Sequence, residues 1–126
     1  MNIKLKILDG QFSIHRLDAN DNIPDQVYQG EFCSIVKTAD ELSIVCNSSI
    51  KVQADRTNSG WACIKLLGPL DFSLLGILSN VSTVLANSKI NIYVVSTYDT
   101  DYILVDSSKI MNAKEALIAS GYFFED

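Results

Sequence analysis

The pattern that most limits how this chain can fold lies in residues 61–107. An apolar segment (61–67) stops at Gly68-Pro69. Residues 72–88 follow, with apolar side chains at Leu74, Ile77, Leu78, Val81, Val84 and Leu85. That i, i+3, i+4, i+7 spacing is the stripe of a helix with one buried face. Ser79, Asn80, Ser82, Thr83, Asn87 and Ser88 fill the other positions, so the opposite face is polar and uncharged. Pro69 cannot continue a strand ladder and restricts Gly68 before it, so the strand is expected to end there. Asp71 is placed to cap the helix, where its side chain takes an orphan N–H and its charge suits the positive end. Leu78 falls on the stripe, and truncating it to Ala is expected to cost on the order of 2–5 kcal/mol if it is buried. Two strands (90–96 and 102–105) then flank a polar turn, Thr97-Tyr98-Asp99-Thr100-Asp101.

The remainder reads as short strands and turns. Residues 2–8 alternate, with Ile3, Leu5 and Ile7 on one side and Lys4 and Lys6 on the other, which marks a half-buried strand. Asp9-Gly10 signals a turn, and residues 11–17 continue extended; a hairpin and a bent continuous strand both fit. Residues 24–29 can form one helical turn with Pro24 at its first position. Two strands, 31–37 and 42–46, surround a turn at 38–41. Residues 48–52 read as a short helical turn and 55–60 as a polar loop. Near the end, Asn112 and Glu115 have capping-box spacing for a helix over 113–120. Gly121 suits the left-handed position beyond it, and residues 122–124 are expected to add an edge strand.

The halves resemble each other. Ile35-Val36-Lys37-Thr38-Ala39-Asp40 aligns without gaps with Val94-Val95-Ser96-Thr97-Tyr98-Asp99, and Ile44-Val45 with Ile103-Leu104. The run passes through strand, turn and strand, which short chance matches rarely do. It predicts two β-α-β-β-α-β units, residues 1–60 with degenerate helices and residues 61–126 with full ones. Each is too small to bury much surface by itself.

A family resemblance rests on these residues. Gly76-Ile77-Leu78, Val81, Leu85 and Ile90-Asn91-Ile92 resemble the signature of ACT domains, which are regulatory modules that bind amino acids. Residues 68–78 and 96–102 are similar to the small bacterial tandem-ACT proteins related to the CASTOR arginine sensors and to the regulatory part of aspartate kinases. The resemblance covers most of the chain. It implies an α+β fold of two tandem ferredoxin-like ACT units, with antiparallel sheets and helices on one face. It further implies a non-catalytic amino-acid-binding role, with the ligand at an interface between ACT units against the first strand–helix loop. Carried onto this chain, that loop is Gly68, Leu70, Asp71, Phe72 and Ser73, joined by the acidic turn with Thr97, Asp99, Thr100 and Asp101. The usual Asp-x-Pro-Gly string before the helix is replaced by Asp71-Phe72-Ser73-Leu74. Edge-to-edge sheet pairing implies a homodimer.

Composition narrows the alternatives. The apolar fraction of 48% supports a packed interior. At a net charge of -5 and without a basic cluster, neither nucleic acid nor an anionic membrane surface is an expected partner. No apolar run approaches the ~20 residues that span a bilayer. Residues 1–4 lack the apolar core of a signal peptide. Cys33, Cys46 and Cys63 are odd in number and lie in apolar segments, which favours free thiols in a cytoplasmic protein over a redox or metal role. His15 is the only histidine, and no nucleophile elbow, P-loop, dinucleotide fingerprint or zinc motif occurs, so no catalytic residue, metal ligand or cofactor is expected. Asp99 and Asp101 form a D-x-D pair that serves either a divalent cation or, as we favour, a solvated turn. They could also receive a ligand amine or guanidinium by charge-assisted hydrogen bonds. The 68–73 turn offers backbone N–H groups to a ligand carboxylate. Asp71 either caps the helix or receives an ammonium group.

Overall fold

The computed structural model describes residues 3–67 and 76–125. In chain order these form strands β1 (Lys4–Ile7), β2 (Phe12–Leu17), β3 (Ser34–Lys37), β4 (Leu42–Asn47) and β5 (Arg56–Leu66). Helix α1 (Ile77–Asn87), strands β6 (Ile92–Ser96) and β7 (Asp101–Asp106), helix α2 (Ile110–Ala119) and strand β8 (Phe123–Glu125) complete them. Short 3-10 helices occupy Asp25–Gln29 and Ser107–Lys109. The chain divides into two compact units, Gly10–Trp61 and Met1–Asp9 with Ala62–Asp126, so β5 serves both.

In the larger unit the strand order is β6-β7-β5-β1-β8. Taken from β5, the chain runs strand, helix, strand, strand, helix, strand, the ferredoxin-like succession, with β1 inserted between β5 and β8. β1 pairs antiparallel with β5 (Leu5↔Leu66, Ile7↔Ile64) and parallel with β8 (Leu5↔Phe124). That parallel pair corrects the expectation of purely antiparallel sheets. Its cause is the inserted strand, which runs the same way as the strand that closes the unit. One core joins both helices to one face of these strands. Val81, Leu85, Ala113 and Leu117 meet Leu5, Ile64, Leu66, Ile103 and Val105, all fully buried.

Both helices end in a six-to-one carbonyl bond. Ile90 N–H donates to Leu85 O at 3.0 Å, and Tyr122 N–H to Leu117 O at 3.1 Å. The residue before each donor is left-handed, Lys89 at φ 60 and Gly121 at φ 100. Ile90 and Tyr122 then fold into the core, so each stop is also a packing contact.

In the smaller unit the order is β3-β4-β2-β5. That order parallels β6-β7-β5-β8 of the larger unit, except that there β1 lies between β5 and β8 and here no strand is inserted. The Asp25–Gln29 turn stands where α1 stands, and no α-helix lies between β4 and β5. The repeated hairpins correspond pair for pair, Ile35↔Ile44 with Val94↔Ile103. The core here is Leu17, Val27, Leu42, Ile44 and Cys46.

Several expectations change. β1 and β2 both pair antiparallel with β5 in nearly continuous register, which selects the bent strand over the hairpin. Gly10 turns at φ +82, and a Cβ there would lie 2.7 Å from Asn47 Nδ2. Residues 55–60 are not a loop. Arg56 begins β5, and the polar side chains of the segment are used, with Thr57 bonded to His15 and Ser59 accepting from Ser13. The short turn expected over 48–52 is closed at its start by Ile50 N–H on Asn47 O, with Ser49 N–H on Asn47 Oδ1. The strand expected from residue 31 begins at Ser34. α2 starts before Asn112 because Asp106 caps the preceding turn, accepting from both the N–H and the hydroxyl of Ser108. Of the helix expected over 72–88, residues 72–75 lie outside the described ones, and α1 runs from Ile77 after a left-handed Gly76 at φ 89. The proposed Asp71 cap lies outside the described residues.

Candidate functional site

The acidic turn is built by its two threonines. Thr97 N–H donates to Thr100 O at 2.8 Å, and the Thr97 hydroxyl donates to the same carbonyl at 3.0 Å. The Thr100 N–H returns a bond to Thr97 Oγ1 at 3.2 Å. These bonds close the turn within itself through Thr97 and Thr100. Thr38 and Glu41 repeat the device in the smaller unit, with Thr38 N–H on Glu41 O at 2.9 Å and Glu41 N–H on Thr38 Oγ1 at 3.1 Å. There the Arg16 guanidinium also donates to Asp40 O and pairs with Asp55, both at 3.3 Å.

A further bond ties the acidic turn to the end of β5. The Thr100 hydroxyl donates to the carbonyl of Leu66, the last residue of β5. The chain leaving Leu66 runs into the segment that holds Gly68, Leu70, Asp71, Phe72 and Ser73. Those five residues lie outside the described ones. Of the other four, Thr97 and Asp99 are exposed, and Thr100 and Asp101 are half-buried where β7 begins. Tyr98 is 87% exposed and walls nothing among the described residues. Tyr102 is half-buried, with the Lys65 ammonium 5.7 Å from its ring centre. Tyr102 flanks the acidic turn in the sequence, whereas the ammonium beside its ring is seen only in the fold.

A cavity of about 220 Å³ opens between the start of α1 and the end of α2. Ile3, Gly76, Ile77, Asn80, Ser120, Gly121 and Tyr122 line it. The Tyr122 hydroxyl donates to Asn80 Oδ1 at 2.5 Å, and burial raises the phenol's pKa. Its volume is below the ~300–1,000 Å³ of ordinary small-molecule pockets.

His15 is buried, its Nδ1 shares a 2.9 Å hydrogen bond with Thr57 Oγ1, and its Nε2 has no partner among the described residues. A base in a nucleophile pair is held by a third group on its second nitrogen, and none stands there. Burial pushes the Cys63 thiol up to about 12, far from a reactive thiolate. Among the described residues no three His, Cys, Asp or Glu side chains gather to hold a metal ion, and no helix is long and apolar enough to cross a membrane.

The model of the ACT domain family matches residues 56–119, from the start of β5 to the end of α2. A second family model, of an N-terminal domain, matches residues 10–50. No curated protein matches the chain. Among solved structures the chain is similar to a protein of Agrobacterium tumefaciens, at 41% identity and a TM-score of 0.91, with 99% of this chain and 93% of that chain covered. It shares its fold with aspartokinase alpha and beta subunits, at 16% identity and TM-score 0.64, covering 92% and 95%. The ligand-free regulatory subunit of aspartate kinase from Thermus thermophilus matches at 13% identity and TM-score 0.59, covering 87% and 92%.

Proposed function

The chain belongs to the ACT-domain family, and from that membership we propose that it is a non-catalytic regulatory protein whose ligand is an amino acid. Residues 61–126 form the intact ACT unit in this reading, and residues 1–60 a second unit with degenerate helices, as in the CASTOR-like proteins. The proposed seat combines the loop residues Gly68, Leu70, Asp71, Phe72 and Ser73 with Thr97, Asp99, Thr100 and Asp101. The protein acts in the cytoplasm as a homodimer.

The hydrogen bond from Thr100 to Leu66 carries the proposal. It tethers the acidic turn to the strand end that feeds the loop, so backbone donors and carboxylates can serve one zwitterion. Asp101 is half-buried at that junction, where a charge-assisted bond is screened less than on open surface.

Thermal stability in the presence of each amino acid tests the reading. A ligand at a hundred times its Kd is expected to stabilise the fold by about 2.7 kcal/mol. For a basic ligand, Asp101→Ala is expected to cost about 1.5–3 kcal/mol of affinity while the protein stays folded. Unchanged affinity would remove the acidic turn from the seat. A second reading, a ligand-free dimerisation module, is favoured by Val94 and Phe123, exposed at 36% and 53% on the outermost strands β6 and β8. A stable dimer that no amino acid stabilises would support it.

A further inference from the structure

Cys33 and Cys46 are thirteen positions apart in sequence, but the hairpin folds them together. The β3–β4 ladder pairs Ser34 with Val45, Ile35 with Ile44, Val36 with Ser43 and Lys37 with Leu42. The paired residues stop at Ser34, and extending the same register by one step would set Cys33, the residue just before β3, opposite Cys46. Directly opposed residues on antiparallel strands lie about 4.5 or 5.5 Å apart at Cα, and a disulfide spans about 4.4–6.8 Å. Opposed residues also share a face, and Cys33 packs against the apolar cluster that contains Cys46. From this register we propose that Cys33 and Cys46 form a redox-sensitive pair that closes to a cross-strand disulfide.

Exposure sets the order of events. Cys33 is partly exposed and Cys46 fully buried, so a soluble oxidant meets Cys33 first. With a low-molecular-weight disulfide such as oxidised glutathione, the Cys33 thiolate attacks one sulfur and the oxidant's S–S bond breaks. One thiol leaves with the proton from Cys33, and the other half stays on Cys33 as a mixed disulfide. Cys46 then gives up its proton and attacks the Cys33 sulfur. The intramolecular S–S bond forms, and the second thiol leaves with that proton. Two cysteine thiols are oxidised and one disulfide is reduced to two thiols.

The two thiols also interact electrically. Burial raises the Cys46 pKa, and negative charge on Cys33 raises it further. Once Cys33 carries the mixed disulfide its charge is gone, so that part of the penalty is removed when Cys46 must ionise. Cys63 does not compete, because it is fully buried and its thiol is held up to about 12.

Peptide mapping tests the pair. The folded protein is incubated with oxidised glutathione, alkylated, denatured and digested with trypsin. Lys37 lies between the two cysteines and Lys51 and Arg56 before Cys63, so each cysteine leaves on its own peptide. Free thiols are expected to fall from three to one, with the Cys33 and Cys46 peptides linked and Cys63 alkylated. Dithiothreitol should restore all three. Cys63→Ser should leave the link unchanged, and Cys33→Ser should abolish it. Persistence of all three thiols, a glutathione adduct that stays on Cys33, or a link to Cys63 or between chains would each overturn the proposal. The wild-type map decides the matter even where a cysteine variant folds poorly.

Discussion

His15 is 5% exposed, with Nδ1 bonded to Thr57 and Nε2 without an acceptor among the described residues. Protonation would put a charge where nothing receives it, and burial lowers the ring's pKa accordingly. The unfolded chain therefore takes the proton first. The contribution of His15 to stability is whole above the unfolded value of about 6.5 and is lost as pH falls below it, until the folded ring protonates too. Urea midpoints on either side of that pH are expected to differ more for the wild type than for His15→Gln. Equal differences would show that another group carries the dependence. The lone histidine was visible in the sequence as a poor catalytic candidate, but its bond to Thr57 was not. Thr57 fell in a stretch whose polar composition reads as loop, and pairing with β2 made that stretch a strand.

The stripe of α1 was legible as a period, and its burial was graded by what packs against it. Val81 and Leu85 are fully buried, whereas Ile77, Leu78 and Val84 are only partly so. Leu74 lies outside the described residues. The burial on which the Leu78 expectation depended is thus only partial, whereas Leu85 meets it in full. Leu85→Ala is expected to cost about 2–5 kcal/mol in urea unfolding, and Leu78→Ala less. Equal losses at the two positions would mean that the helix face is rotated from the one described. The hairpin repeat was legible for a similar reason: turn chemistry is local, and two aligned threonines close two turns with the same bonds. Asn112 and Glu115 have capping spacing but lie inside α2, which follows directly on a 3-10 turn that Asp106 caps.

At the scale of the whole molecule, the first nine residues belong with the last sixty-five. β8 has β1 as its neighbour, and Leu5 is fully buried in the core of the helical unit. A fragment of residues 61–126 alone is therefore expected to fold poorly by circular dichroism and amide dispersion, and a fusion supplying residues 1–9 to fold better. A well-folded 61–126 fragment would make the inserted strand dispensable. By itself the sequence determined the helix stripe, the repeated hairpin, the left-handed stop at Gly121 and the family, because each rests on neighbours a few residues apart or on a motif read in order. Only the tertiary structure decided that β1 enters between β5 and β8, that the acidic turn is tied to Leu66, and that Cys33 packs against the cluster that holds Cys46. Those depend on which strands pair and in what register, and pairing is set by the packing of distant segments around a shared core rather than by local spacing.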